Sequence, residues 1–170
     1  MAIYLINNFA SPTTAAFVPV TTGTSLKTLL QVLPSATKAL RIIEWGISFS
    51  GYAAAAKIKV ELIEVDVAAT VTAHVAAGII KYDAEALMGG DPTTNLIQVG
   101  TSHTGYTATA EGSITASRLL DAPLQLSPTE TFVKQFPLGQ EPLLQISKYG
   151  RIRVHAPAAV DAACWMKVAT

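Results

Sequence analysis

The sequence has 170 residues and a mass of 17.9 kDa, a size typical of one domain. Its 12 basic and 12 acidic residues give a formal net charge of zero, which argues against nucleic acid or an anionic membrane as a partner. One cysteine, Cys164, excludes an intrachain disulfide, and the apolar runs are too short to cross a bilayer.

The N-terminal segment, residues 1–22, is predicted to be an arm that contains the first strand. Ile3 to Asn7 has the composition of a strand, and bulky apolar residues continue beyond it. We predict that the arm reaches onto a neighbouring subunit through Tyr4, Leu5, Phe9 and Phe17. Residues 23–170 contain no repeat or linker and are predicted to form a single β-sandwich domain that includes the arm's strand.

A helical pattern follows the arm. Four leucines would share one helical face: Leu26, Leu29, Leu30 and Leu33. Thr24 or Ser25 is a suitable N-cap, and Pro34 would end the helix. The sequence therefore predicts one short helix near residues 25–33, at the edge of the sandwich.

The middle of the chain is predicted to be mostly strand. Arg41 to Phe49 is rich in bulky residues and is typical of a central strand that is buried on both sides. Charged and aliphatic residues alternate from Lys57 to Leu62, and the phase changes at Ile63, which predicts a β-bulge or a strand end. Val65 to Ile80 fits either periodicity, but its β-branched residues favour strand and loop.

Later segments repeat the strand pattern between regularly spaced glycines and prolines. The further predicted strands are Asn95 to Val99, Tyr106 to Ala116, Thr131 to Phe136, Arg151 to His155 and Cys164 to Val168. Short strands separated by turn residues are typical of two packed antiparallel sheets. We therefore predict an all-β fold, an antiparallel β-sandwich of jelly-roll-like type with about eight strands.

The sequence contains no motif of a catalytic or metal site. Ser102 and His103 are adjacent, but their glycine-flanked setting indicates a turn rather than a nucleophile elbow. The remaining histidines, His74 and His155, have no His or Cys partner nearby in the chain. We predict a protein that is not an enzyme and that holds no cofactor or metal.

Two further groups of residues allow a functional and a structural interpretation. Arg151 and Arg153, together with His155, form a basic stripe, but without a net basic field we expect ion pairs with a neighbouring strand or another subunit. Trp45 and Trp165 have bulky neighbours and are interpreted as core anchors. A Trp exposed in a groove would instead favour a sugar-binding site.

The low charge content predicts an assembly. A free globule of this mass exposes roughly 8,000 Å², so the charged residues would cover it thinly. We therefore expect much of the surface to be covered by other subunits in a homo-oligomer, a trimer. Arg151 and Arg153 join the arm residues as predicted interface positions.

Four segments resemble small structural proteins of tailed bacteriophages and prophages. They are Leu26 to Gln31, Leu40 to Phe49, Lys134 to Pro142 and Arg151 to Val154. The resemblance spans roughly Gly23 to Val168. It implies a β-sandwich virion component, a capsid decoration (cement) protein that is made in the host bacterial cytoplasm and binds the major capsid protein at the capsid surface. It supplies no catalytic residues.

Two other functions stay open on the sequence. One is a tail, neck or baseplate component of the virion, which would be present in rings of few copies rather than in hundreds. The other is a carbohydrate-binding β-sandwich module that attaches to host glycans, which would need an exposed aromatic side chain.

Overall fold

The computed structural model describes residues 2–51, 56–82 and 96–170. Over these residues the chain forms two antiparallel sheets of seven strands each, packed together as a sandwich, and one 3-10 helix, η1 (Ala76–Gly78). The predicted all-β antiparallel sandwich is confirmed. The jelly-roll subtype is not confirmed by these strand orders.

Sheet 1 has the strand order β11-β4-β14-β1-β7, with β12 beside β4 and β2 beside β14. Its strands are β1 (Ile3–Asn7), β2 (Val20–Thr21), β4 (Leu40–Ser50), β7 (Ile79–Lys81), β11 (Thr131–Gln135), β12 (Leu143–Leu144) and β14 (Asp161–Ala169). The longest strands, β4 and β14, pair at the centre of this sheet. The strands predicted at Ile3–Asn7 and Arg41–Phe49 are confirmed as β1 and β4. However, β4 is not buried on both sides, because Arg41 is exposed and Glu44 and Ser48 are only partly covered.

Sheet 2 has the order β10-β5-β13-β3-β8-β6, with β9 beside β5. Its strands are β3 (Lys27–Val32), β5 (Ile58–Val65), β6 (Thr70–Ala73), β8 (Gly105–Ala110), β9 (Ser117–Leu119), β10 (Leu124–Leu126) and β13 (Tyr149–His155). The strand β8 is shorter than the Tyr106 to Ala116 strand that the sequence predicts. Gly112 lies beyond its end with a φ of +72°, in the left-handed region.

The core lies between the sheets, because alternate side chains of each strand point inward. In β14, Cys164 and Met166 are fully buried while Trp165 between them is not. Trp45 has no exposed surface, and its indole N–H donates to Asp121 Oδ2 at 2.9 Å. One cluster of buried apolar residues joins both sheets, and each fully buried large side chain contributes roughly 1.5–3 kcal/mol.

The predicted helix near residues 25–33 is wrong, because Lys27–Val32 forms β3 between β13 and β8. In the pairing with β13, Ile152 opposes Leu30 and Arg153 opposes Thr28, so Leu29 is the extra residue of a bulge. Leu29 and Leu30 are both fully buried in the core cluster. Because β3 is bulged and buried along most of its length, its leucines do not alternate with polar residues. Their spacing therefore resembles that of one face of a helix.

Neither the β-bulge nor the strand end predicted at Ile63 is present, since β5 continues to Val65 and pairs with β13 in unbroken register from Lys59 to Val65. Leu62, Ile63, Glu64 and Val65 are all buried. Apolar residues therefore occur in both phases because both faces of β5 are covered here. The segment Val65 to Ile80 is strand and loop as predicted, apart from the turn of η1.

The predicted strand Asn95 to Val99 lies partly outside the described residues, because Asn95 is not among them. Ile97 and Val99 form only isolated bridges, to Pro34 and Thr104. The Cys164 to Val168 strand is confirmed within β14, and Thr131 to Phe136 forms β11 as far as Gln135.

Candidate interaction surface

A loop leaves sheet 1 between β1 and β2, two strands that both pair with β14. The strand β1 ends at Asn7, opposite Trp165, and the chain returns as β2 at Val20, opposite Ala162. Residues 9–19 thus leave the sheet and come back to nearly the same place along β14. A compact excursion with adjacent ends is an Ω-loop, a type of loop that often carries function. We call residues 9–19 the Ω-loop.

Both ends of the Ω-loop are fixed to main-chain atoms near the start of β14. Buried Asn8 accepts a hydrogen bond from Cys164 N at 2.9 Å and donates its side-chain N–H to Ala162 O at 3.1 Å. Buried Thr22 accepts from Val160 N at 3.1 Å and donates its own N–H to Val160 O at 2.8 Å. These bonds fix the two ends of the loop on the sheet.

The Ω-loop exposes apolar surface. The ring centroids of Phe9 and Phe17 lie 4.7 Å apart, which closes the loop on itself, and residues 12–18 are exposed. Phe17 is 47% and Val18 is 75% exposed. The first charged residue of the chain is Lys27. The sequence prediction named only Phe9 and Phe17 of this loop. The lack of charged residues before Lys27 is the sequence signal that could have indicated the whole loop.

Two cavities flank the Ω-loop, on either side of Tyr106. A groove of about 550 Å³ lies between the loop, Tyr106 and Lys27. A second cavity of about 380 Å³ lies between the loop, His74 and Val75. Both are lined mostly by small, apolar or hydroxyl-bearing residues, so the region is suited to apolar contacts rather than to charged ligands.

His74 beside the second cavity is 3% exposed. In the neutral tautomer that carries its hydrogen on Nε2, the ring donates to Asn7 O at 2.6 Å, and it lies 4.9 Å from the Tyr106 ring. Burial lowers the pKa of His74 from 6.5, and the bond to Asn7 only partly opposes this effect. The buried ring is therefore held neutral.

We expect the stability of the protein to fall on acidification because of His74. A pKa lowered by folding means that the unfolded chain binds the proton more tightly, so His74 contributes stability above about pH 6.5 that is lost as the pH falls toward its folded value. A His74→Gln variant should show a shallower fall in the free energy of unfolding between pH 7 and 5, measured by urea denaturation. Exposed His155→Gln is the control, and equal pH slopes in wild type and His74→Gln would contradict the assignment.

The outer face of sheet 1 carries an aromatic cluster. Trp165 opposes Gly46 of β4, and a Cβ at position 46 would overlap its indole ring, so the ring lies against the main chain of β4. Trp165 Nε1 donates to Glu44 Oε1 at 3.0 Å, and Lys167 Nζ donates to Glu44 Oε2 at 2.9 Å. Lys167 also lies 5.7 Å from the centroid of the Tyr82 ring. The interpretation of Trp45 as a core anchor is confirmed, but that of Trp165 is wrong.

Glu44 is ionised within this cluster. Partial burial raises the pKa of Glu44, but the hydrogen bonds from Lys167 and Trp165 and the charge of Lys167 outweigh it, so the pKa lies below 4.5. Two donors on the same face, Trp165 and Lys167, therefore bind the Glu44 carboxylate. The carboxylate needs no partner from another molecule.

The six predicted interface residues lie in different environments. Leu5 is on the outer face of sheet 1, and Phe9 and Phe17 are on the Ω-loop. Tyr4 has no exposed surface, because it points into the core from β1. Its side chain is therefore not available for the subunit contact that the sequence predicted.

Arg151 is also fully buried, so it too lies outside any surface contact. Its guanidinium donates to Gln31 Oε1 at 3.0 Å, to Glu111 O at 3.1 Å and Glu111 Oε2 at 3.3 Å, and to Val67 O. Burial lowers the pKa of Arg151 from its usual value, and the charge of the Glu111 carboxylate opposes that shift. Arg153 pairs with Glu61 of the neighbouring strand β5 at 2.6 Å, which confirms the ion pair predicted for it.

Residues with catalytic potential do not converge in the described part of the chain. Ser102 and His103 lie in a turn in which His103 N donates to Gly100 O at 3.0 Å, as predicted. Among the described residues, no group of three His, Cys, Asp or Glu side chains is placed to hold a metal ion, and no helix has the length and apolarity to span a membrane.

Comparisons with known proteins do not assign the chain to a family. No family model matches the chain, and neither a curated protein nor a solved structure gives a significant match. A β-sandwich supports many unrelated functions, so the fold alone does not specify one. The function must therefore be argued from the Ω-loop and the outer face of sheet 1.

Proposed function

We propose that this protein is a non-enzymatic structural component of a tailed-phage virion that oligomerises, binds the major capsid protein on the outside of the head and stabilises the shell. The observation that carries the proposal is the anchored, uncharged and exposed Ω-loop. The resemblance of four segments to small phage structural proteins supplies the kind of partner.

The surface composition supports an assembly role. The chain exposes 8125 Å² and has 12 basic and 12 acidic residues, roughly one charge per 340 Å². With a net charge of zero, no long-range repulsion keeps copies or partners apart. Such a surface favours close contact with other subunits.

The Ω-loop is suited to a tight contact for two physical reasons. Its alanine and proline residues lose almost no side-chain entropy on burial, and its anchored ends reduce the cost of ordering the main chain. Phe17 and Val18 supply apolar area, which is worth about 25 cal/mol for each Å² removed from water. A protein that binds the assembled shell and not the dissociated subunits stabilises the shell by mass action.

Changing Phe17→Asp and Val18→Asp together should weaken binding to heads that lack the protein at least tenfold, because a contact would then bury unpaired charges. Stability should fall by only about 0.5–1.5 kcal/mol, through loss of the Phe9–Phe17 ring pair, since Val18 is 75% exposed. Co-sedimentation with heads measures binding, and the temperature of head rupture with and without the protein measures stabilisation.

Exposed Thr129→Asp, far from the loop in sequence, is the matched control and should bind normally. Unchanged binding by the double variant would remove the Ω-loop from the contact. Rupture at the same temperature with and without the protein would overturn the decoration role. A copy number of three or six per particle, rather than hundreds, would favour the tail, neck or baseplate alternative.

One observation favours the carbohydrate-binding alternative, namely that Trp165 is partly exposed on a sheet face. Sugar recognition also needs free polar groups that meet hydroxyls, since a polar group left unpaired on binding costs free energy. Here the indole N–H, the Glu44 carboxylate and the Lys167 ammonium bond to one another. The cluster is therefore better suited to an apolar partner, and retention on immobilised host glycans would contradict this.

A further inference from the structure

Ser11 of the Ω-loop has a hydroxyl group that no other group binds. Among the described residues, its Oγ is the one buried side-chain oxygen or nitrogen that makes no hydrogen bond. A hydroxyl left unpaired in this way costs free energy, because water would bind it in the unfolded chain. Ser11 lines both of the cavities that flank the Ω-loop. A ligand that bonds to this hydroxyl would remove the cost.

His74 presents a second unpaired group. Because Asn7 O can only accept, the hydrogen of the neutral ring lies on Nε2, and Nδ1 keeps its lone pair. Within the described part of the chain Nδ1 makes no hydrogen bond. It lies beside Gly78, since a Cβ at position 78 would be 3.0 Å from it. Both residues line the cavity of about 380 Å³, which we call the His74 cavity, so the buried ring offers it an acceptor.

The other walls of the His74 cavity are small or apolar. The Ω-loop supplies one wall through residues 10–13, and η1 supplies another through Ala77 and Gly78. None of the described residues that line it is Asp, Glu, Lys or Arg. Tyr106 also lines it and offers an aromatic surface. The volume is in the range of small-molecule sites, and such walls select a neutral, largely apolar ligand.

An aromatic ring that bears one hydroxyl group has the chemistry that these groups lack. Its O–H can donate to an acceptor such as His74 Nδ1, and its oxygen can accept from the Ser11 hydroxyl. The ring fits apolar walls and can pack against Tyr106, because aromatic pairs gain free energy beyond the area that they bury. A charged ligand is disfavoured, since the cavity has no opposite charge to pair with it.

We propose that the His74 cavity is a binding site for a phenol, with His74 Nδ1 as the acceptor and the Ser11 hydroxyl as the donor. A free phenolic compound and the tyrosine side chain of a partner protein share this chemistry. The inference does not rest on the proposed function, because Phe17 and Val18 of the proposed capsid contact line the other groove.

The test is the binding of phenol itself to the full chain, measured by isothermal titration calorimetry. We expect saturable binding with a dissociation constant of about 1 mM or tighter. Anisole, in which a methyl group replaces the hydroxyl hydrogen, can accept from Ser11 but cannot donate to His74. It should bind about tenfold more weakly than phenol. Changes in the NMR shifts of backbone amides on adding phenol should concentrate at residues 10–13 and 73–78.

Ser11→Ala separates a ligand contact from a structural role. It should weaken phenol binding roughly threefold or more, because one hydrogen bond to the ligand is lost. Without phenol, the variant should unfold at the same urea concentration as wild type or at a higher one, since the hydroxyl that it removes has no partner in the protein. A serine that only supports the fold would lose stability instead.

Two variants that fill the His74 cavity test its position. Gly78→Ala places a methyl group beside His74 Nδ1 and should weaken phenol binding about tenfold. Ala77→Leu guards against a folding failure, because Ala77 is an exposed residue of the cavity wall, and it should have a similar effect. Ala16→Leu is the matched control, since Ala16 is exposed on the same loop but lines the other groove, and it should bind phenol normally.

The inference would be overturned by a lack of saturable phenol binding, by equal affinity for anisole, or by wild-type affinity in both cavity-filling variants. N-acetyltyrosinamide separates the two sources of the ligand, and either result supports the site. Tighter binding than phenol indicates a partner's tyrosine side chain, and weaker binding indicates a free phenolic compound. The titrations contain no phage heads, so their failure would leave the capsid proposal standing, and failure to bind heads would leave the phenol site standing.

Discussion

Replacing Arg151 with methionine should lower the free energy of unfolding by about 3 kcal/mol. The guanidinium is fully buried and donates to groups on Gln31, Glu111 and Val67. Without it, two main-chain carbonyls and the Glu111 carboxylate each lose a donor. This loss is at the lower end of what removing one partner of a buried ion pair costs. The reason is that the Glu111 side chain is 24% exposed and still accepts a hydrogen bond from Thr28.

Arg153→Met is the matched control, since Arg153 lies two residues further on the same strand and face. Its ion pair with Glu61 is partly exposed on both sides and should be worth no more than about 1 kcal/mol. Arg151→Lys should not restore stability, because an ammonium cannot reproduce the planar fork of a guanidinium. Urea denaturation followed by tryptophan fluorescence measures all three variants, and equal losses at both arginines would contradict the assignment.

The two arginines show what alternation along a strand predicts and what it leaves open. Period-two spacing correctly places Arg151 and Arg153 on one face of β13. Burial of Arg151 depends on Val67 and Glu111, which lie 84 and 40 residues away in the chain. No local pattern near position 151 could indicate that those residues cover it.

The strands that local sequence predicted best are those with one covered face or a dense run of bulky residues, such as β1, β4 and β14. The prediction was wrong where both faces are covered, as in β3 and β5. There apolar residues occur on both faces of the strand, and periodicity no longer separates strand from helix or a regular strand from a bulge. The strand order also depends on pairings between distant segments and had no local signal.

The candidate surfaces were predicted only in part. The Ω-loop contains Phe9 and Phe17, which the sequence predicted as arm residues that contact a neighbouring subunit. Trp165 was missed because both phases of β14 carry apolar residues, with Ala163 and Trp165 outward and Cys164 and Met166 inward. Alternation places these residues on two opposite faces of β14. Which face is buried depends on the opposing sheet, and the local sequence does not indicate it.

The two tryptophans should differ sharply in their contribution to folding. Trp45→Ala should cost about 4 kcal/mol, because the indole has no exposed surface, packs 5.1 Å from the Phe132 ring and donates to Asp121. Trp45→Phe should cost less, since it keeps most of the buried volume and loses chiefly the hydrogen bond, worth about 1.5–3 kcal/mol to a charged acceptor.

Trp165→Ala is the matched comparison, because Trp165 lies on the neighbouring strand but faces outward. At low micromolar protein concentration its free energy of unfolding should fall by less than half of the loss at Trp45, since the ring is already partly in solvent. Equal losses at both positions would contradict the placement of Trp165 outside the core.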